Sequence, residues 1–171
     1  MRMTLCLVAA ILILGCDAPK PDAAKAVQGP VDVEPHTHER GKMMLADAGP
    51  YHAALTAHLA KDGNELDVFI ETDDDEPIPV ALPLAQIVAK AKRSGDTKEY
   101  KLIFEPAPPD ERPKSEAIGT CSHFVAKAPW MTRADVLTVV AEIEVKGKVR
   151  KVIWGEFSPL KFAHHDEPGA K

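Results

Sequence analysis

The chain has 171 residues, 45% of them hydrophobic, with 21 basic against 26 acidic side chains and a formal charge of −5. That length suits one domain with a real core. An acidic surface without a Lys/Arg cluster argues against nucleic acid or anionic lipid as the partner and favours cations or a basic protein patch.

At the amino terminus Arg2 precedes an apolar run from Leu5 to Leu14, which ends in Ile13-Leu14-Gly15-Cys16. An apolar run of about ten residues is too short for a permanent bilayer span, and a small residue followed by cysteine resembles the lipobox of bacterial lipoprotein signal peptides. The resemblance implies cleavage after Gly15, a diacylglyceryl group on the Cys16 sulfur and acylation of the new amino group. Two or three acyl chains anchor a protein stably where one would not. Residues 1–15 are therefore expected to be a signal peptide, and residues 16–39 a lipidated cysteine with its tether. Asp17 to Val33, mostly Ala, Pro, Lys, Asp and Gly, lacks an apolar period, as a flexible stalk should. Asp17 resembles the inner-membrane retention signal of enteric bacteria. The expected location is a membrane anchor facing the periplasm, with inner or outer membrane left open.

Residues 40–162 alternate with period two between Gly, Pro and Asp breaks. Tyr51, Ala53, Leu55, Ala57 and Leu59 form one face of a strand with His52, Thr56 and His58 on the other. Asp62-Gly63 is the expected type I′ turn, and Leu66, Val68 and Ile70 continue the apolar face. This register puts Leu55 opposite Ile70, Ala57 opposite Val68, Leu59 opposite Leu66, His58 opposite Asp67 and His52 opposite Asp73. Leu84 to Arg93 fits a helical stripe as well as a strand, and alternation favours the strand. Lys98 to Phe104 and Thr120 to Lys127 read as strands, and the proline-rich stretch from Glu105 to Ser115 as an exposed loop. Leu137 to Val145 and Val149 to Trp154 flank Lys146-Gly147-Lys148 as a second hairpin, whose register is ambiguous because both faces of the return strand offer apolar residues. Seven or eight such strands predict an all-β fold, an immunoglobulin-like antiparallel β-sandwich, without the Cys-Trp-Cys core of true immunoglobulin domains. Residues 163–171 form a histidine-rich acidic tail.

Seven histidines are the unusual feature. His36-Thr37-His38-Glu39 and His164-His165-Asp166-Glu167 bracket the domain, and imidazole beside carboxylate suits zinc or copper. Solvated polar termini are an equally good reading of those tracts. His52 and His58 are too far apart along a strand to share an ion, so cross-strand carboxylates are their expected partners. The acidic run from Glu71 to Glu76 lacks the order of a calcium loop and reads as solvated. Cys6 leaves with the signal and Cys16 takes lipid, so Cys121 is a lone thiol without an internal disulfide partner. Cys121 and His123, expected on one strand face, form a second candidate site for a soft metal. A buried cysteine beside a satisfied histidine is the competing reading. The chain lacks a phosphate loop, a nucleophile elbow and paired-cysteine metal motifs, so an enzyme is not expected.

Met43 to Leu59, Gly63-Asn64-Glu65-Leu66-Asp67-Val68, Phe104-Glu105-Pro106-Ala107-Pro108, Ser122 to Lys127 and Ala163-His164-His165 together resemble a family of uncharacterised periplasmic domains. Such domains occur as short lipoproteins or within adaptors of heavy-metal efflux pumps of the resistance-nodulation-division type. The resemblance spans roughly residues 36 to 167 and implies an extracytoplasmic β-sandwich connected with metal cation export. The chain has neither the coiled-coil hairpin nor the lipoyl domain of a true adaptor. The expectation is a lipid-anchored periplasmic accessory that binds or hands on metal cations, with an efflux adaptor as partner. The alternative is a structural or protein-binding lipoprotein without a metal role.

Overall fold

The computed structural model describes residues 40–61 and 63–164. The expected signal peptide, Cys16, His36, His38 and His165 lie outside the described residues, and of His164 only the backbone is described. Among the described residues nine strands follow in order: β1 (Met44–Asp47), β2 (Tyr51–Ala60), β3 (Gly63–Thr72), β4 (Ile87–Arg93), β5 (Glu99–Pro106), β6 (His123–Lys127), β7 (Leu137–Val145), β8 (Lys148–Phe157) and β9 (Ala163–His164). The helices among the described residues are two single 3-10 turns, Arg40–Lys42 and Pro109–Glu111. No helix there is long and apolar enough to cross a membrane.

The strands form one hydrogen-bonded path, β1-β2-β3-β6-β5-β4-β7-β8, antiparallel at each step. β1 lies against β8, so the path curls nearly into a barrel. The all-β, antiparallel character matches the sequence expectation. The path is continuous where an immunoglobulin-like sandwich of two separate sheets was expected, because β5 belongs to both halves. Its residues up to Phe104 pair with β4, after which Glu105 and Pro106 pair with Val125 and Phe124 of β6. A strand that changes partner in mid-course turns a corner and joins what would otherwise be two sheets.

Alternation places the core as expected. In β4, Ile87, Ala89 and Ala91 face in while Val88, Lys90 and Lys92 face out, so the strand reading holds there. In the second hairpin, Val152 and Trp154 are buried while Val149 and Ile153 are exposed, which settles the ambiguous register. Lys146 (φ 51°) and Gly147 (φ 73°) form its two-residue turn, both left-handed as type I′ geometry requires. Trp154 donates from Nε1 to the Ala53 carbonyl at 3.0 Å, tying β8 to β2 across the closing seam.

The first hairpin needs a correction. Ala60 pairs with Gly63, so the ladder closes at Gly63, which was expected within the turn. Gly63 opens β3 with φ 147°, a conformation that glycine alone adopts freely, which draws it out of the turn and into the ladder. The partners shift by two: Leu55 stands opposite Val68, Ala57 opposite Leu66, His58 opposite Glu65 and His52 opposite Glu71. A shift of two preserves the faces, and Leu55, Ala57, Leu66, Val68 and Ile70 are all fully buried. The outer face of β2 is drier than alternation implies. Ala54 and Thr56 are buried, and Thr56 Oγ1 donates to the Phe162 carbonyl at 2.7 Å.

Two strands escaped the sequence reading. β1 is only four residues long, and β9 pairs in parallel with β2 and carries the sheet past the expected domain boundary at 162.

Candidate functional site

The outer face of β3 and β6 carries Asp67, Phe69 and His123, and the segment from Ala107 to Cys121 folds over it. Ala107 donates its N–H to the His123 carbonyl at 2.9 Å, and Pro109–Glu111 then turns so that the Glu111 carbonyl lies 3.3 Å from His123 Nδ1. Nε2 of the same ring meets Asp67 Oδ1 at 3.0 Å, and the ring stacks on Phe69 with centroids 4.1 Å apart. Further along, Glu116 Oε1 accepts from the Ser122 N–H at 2.8 Å and from the Ser122 hydroxyl, with Arg112 3.9 Å from its other oxygen. Asp67, Ser122 and His123 are thereby buried yet hydrogen-bonded, as buried polar groups must be. The partners of both His123 nitrogens are acceptors, so a neutral ring satisfies one of them and a doubly protonated ring both.

Cys121 lies on the other side of the sheet. It belongs to the apolar core and forms a two-bond bridge with Leu82, 2.9 Å in each direction. Phe124 also faces the core, three residues on, so strict alternation breaks between them and the expected common face of Cys121 and His123 does not exist. The Cys121 thiol donates to the His123 carbonyl at 2.7 Å, and burial pushes its pKa up from the ordinary value of 9.0. Neither a thiolate ligand nor a nucleophile is favoured there.

Of the remaining histidines, His52 Nε2 sits 3.2 Å from Asp73, the carboxylate expected for it, although Glu71 is its register partner. His58 lies opposite Glu65 rather than Asp67, as the shifted register requires, and Asp67 meets His123 instead. On the other edge of β2, β9 sets His164 at the register position of His58. The tract His164-His165 thus begins where a third histidine stands, a juxtaposition that no spacing in the sequence reveals. His36, His38 and His165 lie outside the described residues. Among the described residues no group of three or more His, Cys, Asp or Glu side chains stands together as a metal cage.

No family model, curated protein or solved structure matches the chain.

Proposed function

We propose that the chain is a lipid-anchored accessory protein, facing the periplasm, that binds zinc or copper and hands the cation on near an efflux system. The observation that carries this reading is the parallel pairing of β9 with β2, in which His164 takes the register position of His58. The pairing brings the start of the tract His164-His165-Asp166-Glu167 to the level of a strand histidine, and imidazole with carboxylate suits a borderline cation. Cys121 is buried and both His123 nitrogens already face protein acceptors, so the proposed ligands are those of the termini rather than the strand pair. The lipobox-like Ile13-Leu14-Gly15-Cys16 supports the anchor, and the resemblance to periplasmic domains of metal-efflux adaptors supports the setting.

Metal competes with protons for imidazole, so affinity falls as pH drops through about 6.5. Calorimetric titration of the full chain with zinc and with copper, at about pH 7.5 and about pH 5.5, tests this. We expect saturable binding at the higher pH only. It is lost when His36, His38, His164 and His165 are changed to alanine together, weakened in His58→Ala, and kept in Cys121→Ser. Absence of saturable binding at either pH overturns the metal reading and leaves the structural or protein-binding lipoprotein. That second reading draws on the apolar residues exposed on the β4, β5, β7 and β8 surface.

A further inference from the structure

The outer surface of β5, β4, β7 and β8 is apolar along one diagonal and oppositely charged on its two sides. The registers place Ile103, Val88, Glu142 and Lys151 side by side in one row, and Lys101, Lys90, Val140 and Ile153 in the next outward row. Ile103 and Val88 of the first row therefore continue into Val140 and Ile153 of the second. The diagonal is open: Ile103 is 41%, Val88 42% and Ile153 51% exposed. Beside it a groove of about 570 Å³ runs along β4 and β7, bordered by Val88, Val140 and Glu142. Contiguous apolar surface on a soluble domain marks an interaction site far more often than scattered single residues do.

Charge says what covers it. On one side of the diagonal stand Lys101, Lys90 and Lys92 with a single acid, Glu99, which pairs with Lys90 at 3.3 Å. On the other stand Glu142 and Glu144 with a single base, Lys151. Strands are about 4.8 Å apart and alternate residues about 6.8 Å apart, so Lys90 and Glu142 lie at mirror positions across the apolar line. A two-fold axis along that line, between two sheets stacked face to face about 10 Å apart, sets each apolar residue near its own counterpart. The same operation sets Lys90 of each copy over Glu142 of the other. A surface that is its own complement under a two-fold rotation fits a second copy of itself, and an unrelated partner has no reason to carry that antisymmetry.

We propose that the chain forms a symmetric dimer through this face, with Ile103, Val88, Val140 and Ile153 at its centre and two reciprocal Lys90–Glu142 pairs flanking them. Opposed charges in an interface fix partner and register, while like charges facing each other are strongly unfavourable. Sedimentation velocity on the full chain in detergent, over a range of protein concentrations, reads the association. Wild type is expected to self-associate. Lys90→Glu alone and Glu142→Lys alone each weaken association at least about tenfold, because each places like charges across both contacts. The double variant Lys90→Glu/Glu142→Lys associates again, and an equimolar mixture of the two single variants forms a heterodimer. Thermal unfolding followed by circular dichroism confirms that every variant is folded, since both side chains are exposed. A wild type that stays monomeric at all concentrations, or single variants that associate as strongly as wild type, overturns the proposal. So does failure of the swapped double variant and of the mixture to restore association.

Discussion

Cys121 shows how one residue's chemistry follows from where its strand puts it. Read as sequence, a thiol two residues from an imidazole is a candidate ligand pair. Folded, the thiol sits in apolar surroundings and donates to a carbonyl, while the imidazole points the other way, between Asp67 and Glu111. Burial disfavours the thiolate, so the folded-state pKa lies above the unfolded one. The associated stability is fully present below the unfolded pKa near 9.0 and is lost as pH rises through the folded value. Alkaline unfolding is therefore expected to gain a component above that pH that Cys121→Ala removes, measured by urea titration at stepped pH. At neutral pH a thiol reagent labels Cys121 slowly in the folded chain and rapidly in urea, as peptide mapping of the labelled protein reports. Rapid labelling without denaturant sinks the burial argument. Gly49 is a second residue whose identity is fixed by its place in the fold, here by backbone conformation. Its φ of 84° is left-handed, and a Cβ there would stand 3.0 Å from Arg150 Nε.

Elements held up better than single residues, because period two is a statement about faces and the core needs only faces. The hairpin of β2 and β3 kept its inward set although its partners moved by two. Leu66→Ala removes buried methyl groups from that face and is expected to cost about 2 to 5 kcal/mol in urea unfolding. Ile118→Ala, at a fully exposed loop position, changes stability by no more than about 0.5 kcal/mol. Equal costs would place the apolar face outside the core. The register itself was not legible, since Asp62-Gly63 is a good turn signal and only the extended, positive φ of Gly63 shows that the ladder claims it. β1 and β9 were missed for a different reason. Four and two residues carry too short a pattern to be recognised, and both owe their form to pairing with β2.

For the whole molecule, β5 decides the architecture. By pairing with β4 over most of its length and with β6 at its end, it turns two expected sheets into one path that closes toward β1 and β8. The lipid anchor we propose acts on this scale, since the thioether at Cys16 would hold the entire domain at a membrane. Cys16→Ser is therefore expected to leave the protein unprocessed or to release it to the soluble fraction, followed by fractionation and a salt wash. A variant that is still matured and still sediments with membranes argues against the anchor. The sequence by itself determined the seven longer strands, the inward faces of β2, β3, β4 and β7, and a turn within Lys146-Gly147-Lys148, because side-chain alternation and turn chemistry are local properties of the backbone. Tertiary structure alone decided which strands are neighbours, that Cys121 and His123 face opposite ways, that His58 and His164 share a level, and that four strands assemble a self-complementary surface. Those are relations between residues distant along the chain, and burial of a common core, which is indifferent to sequence separation, is the force that sets them.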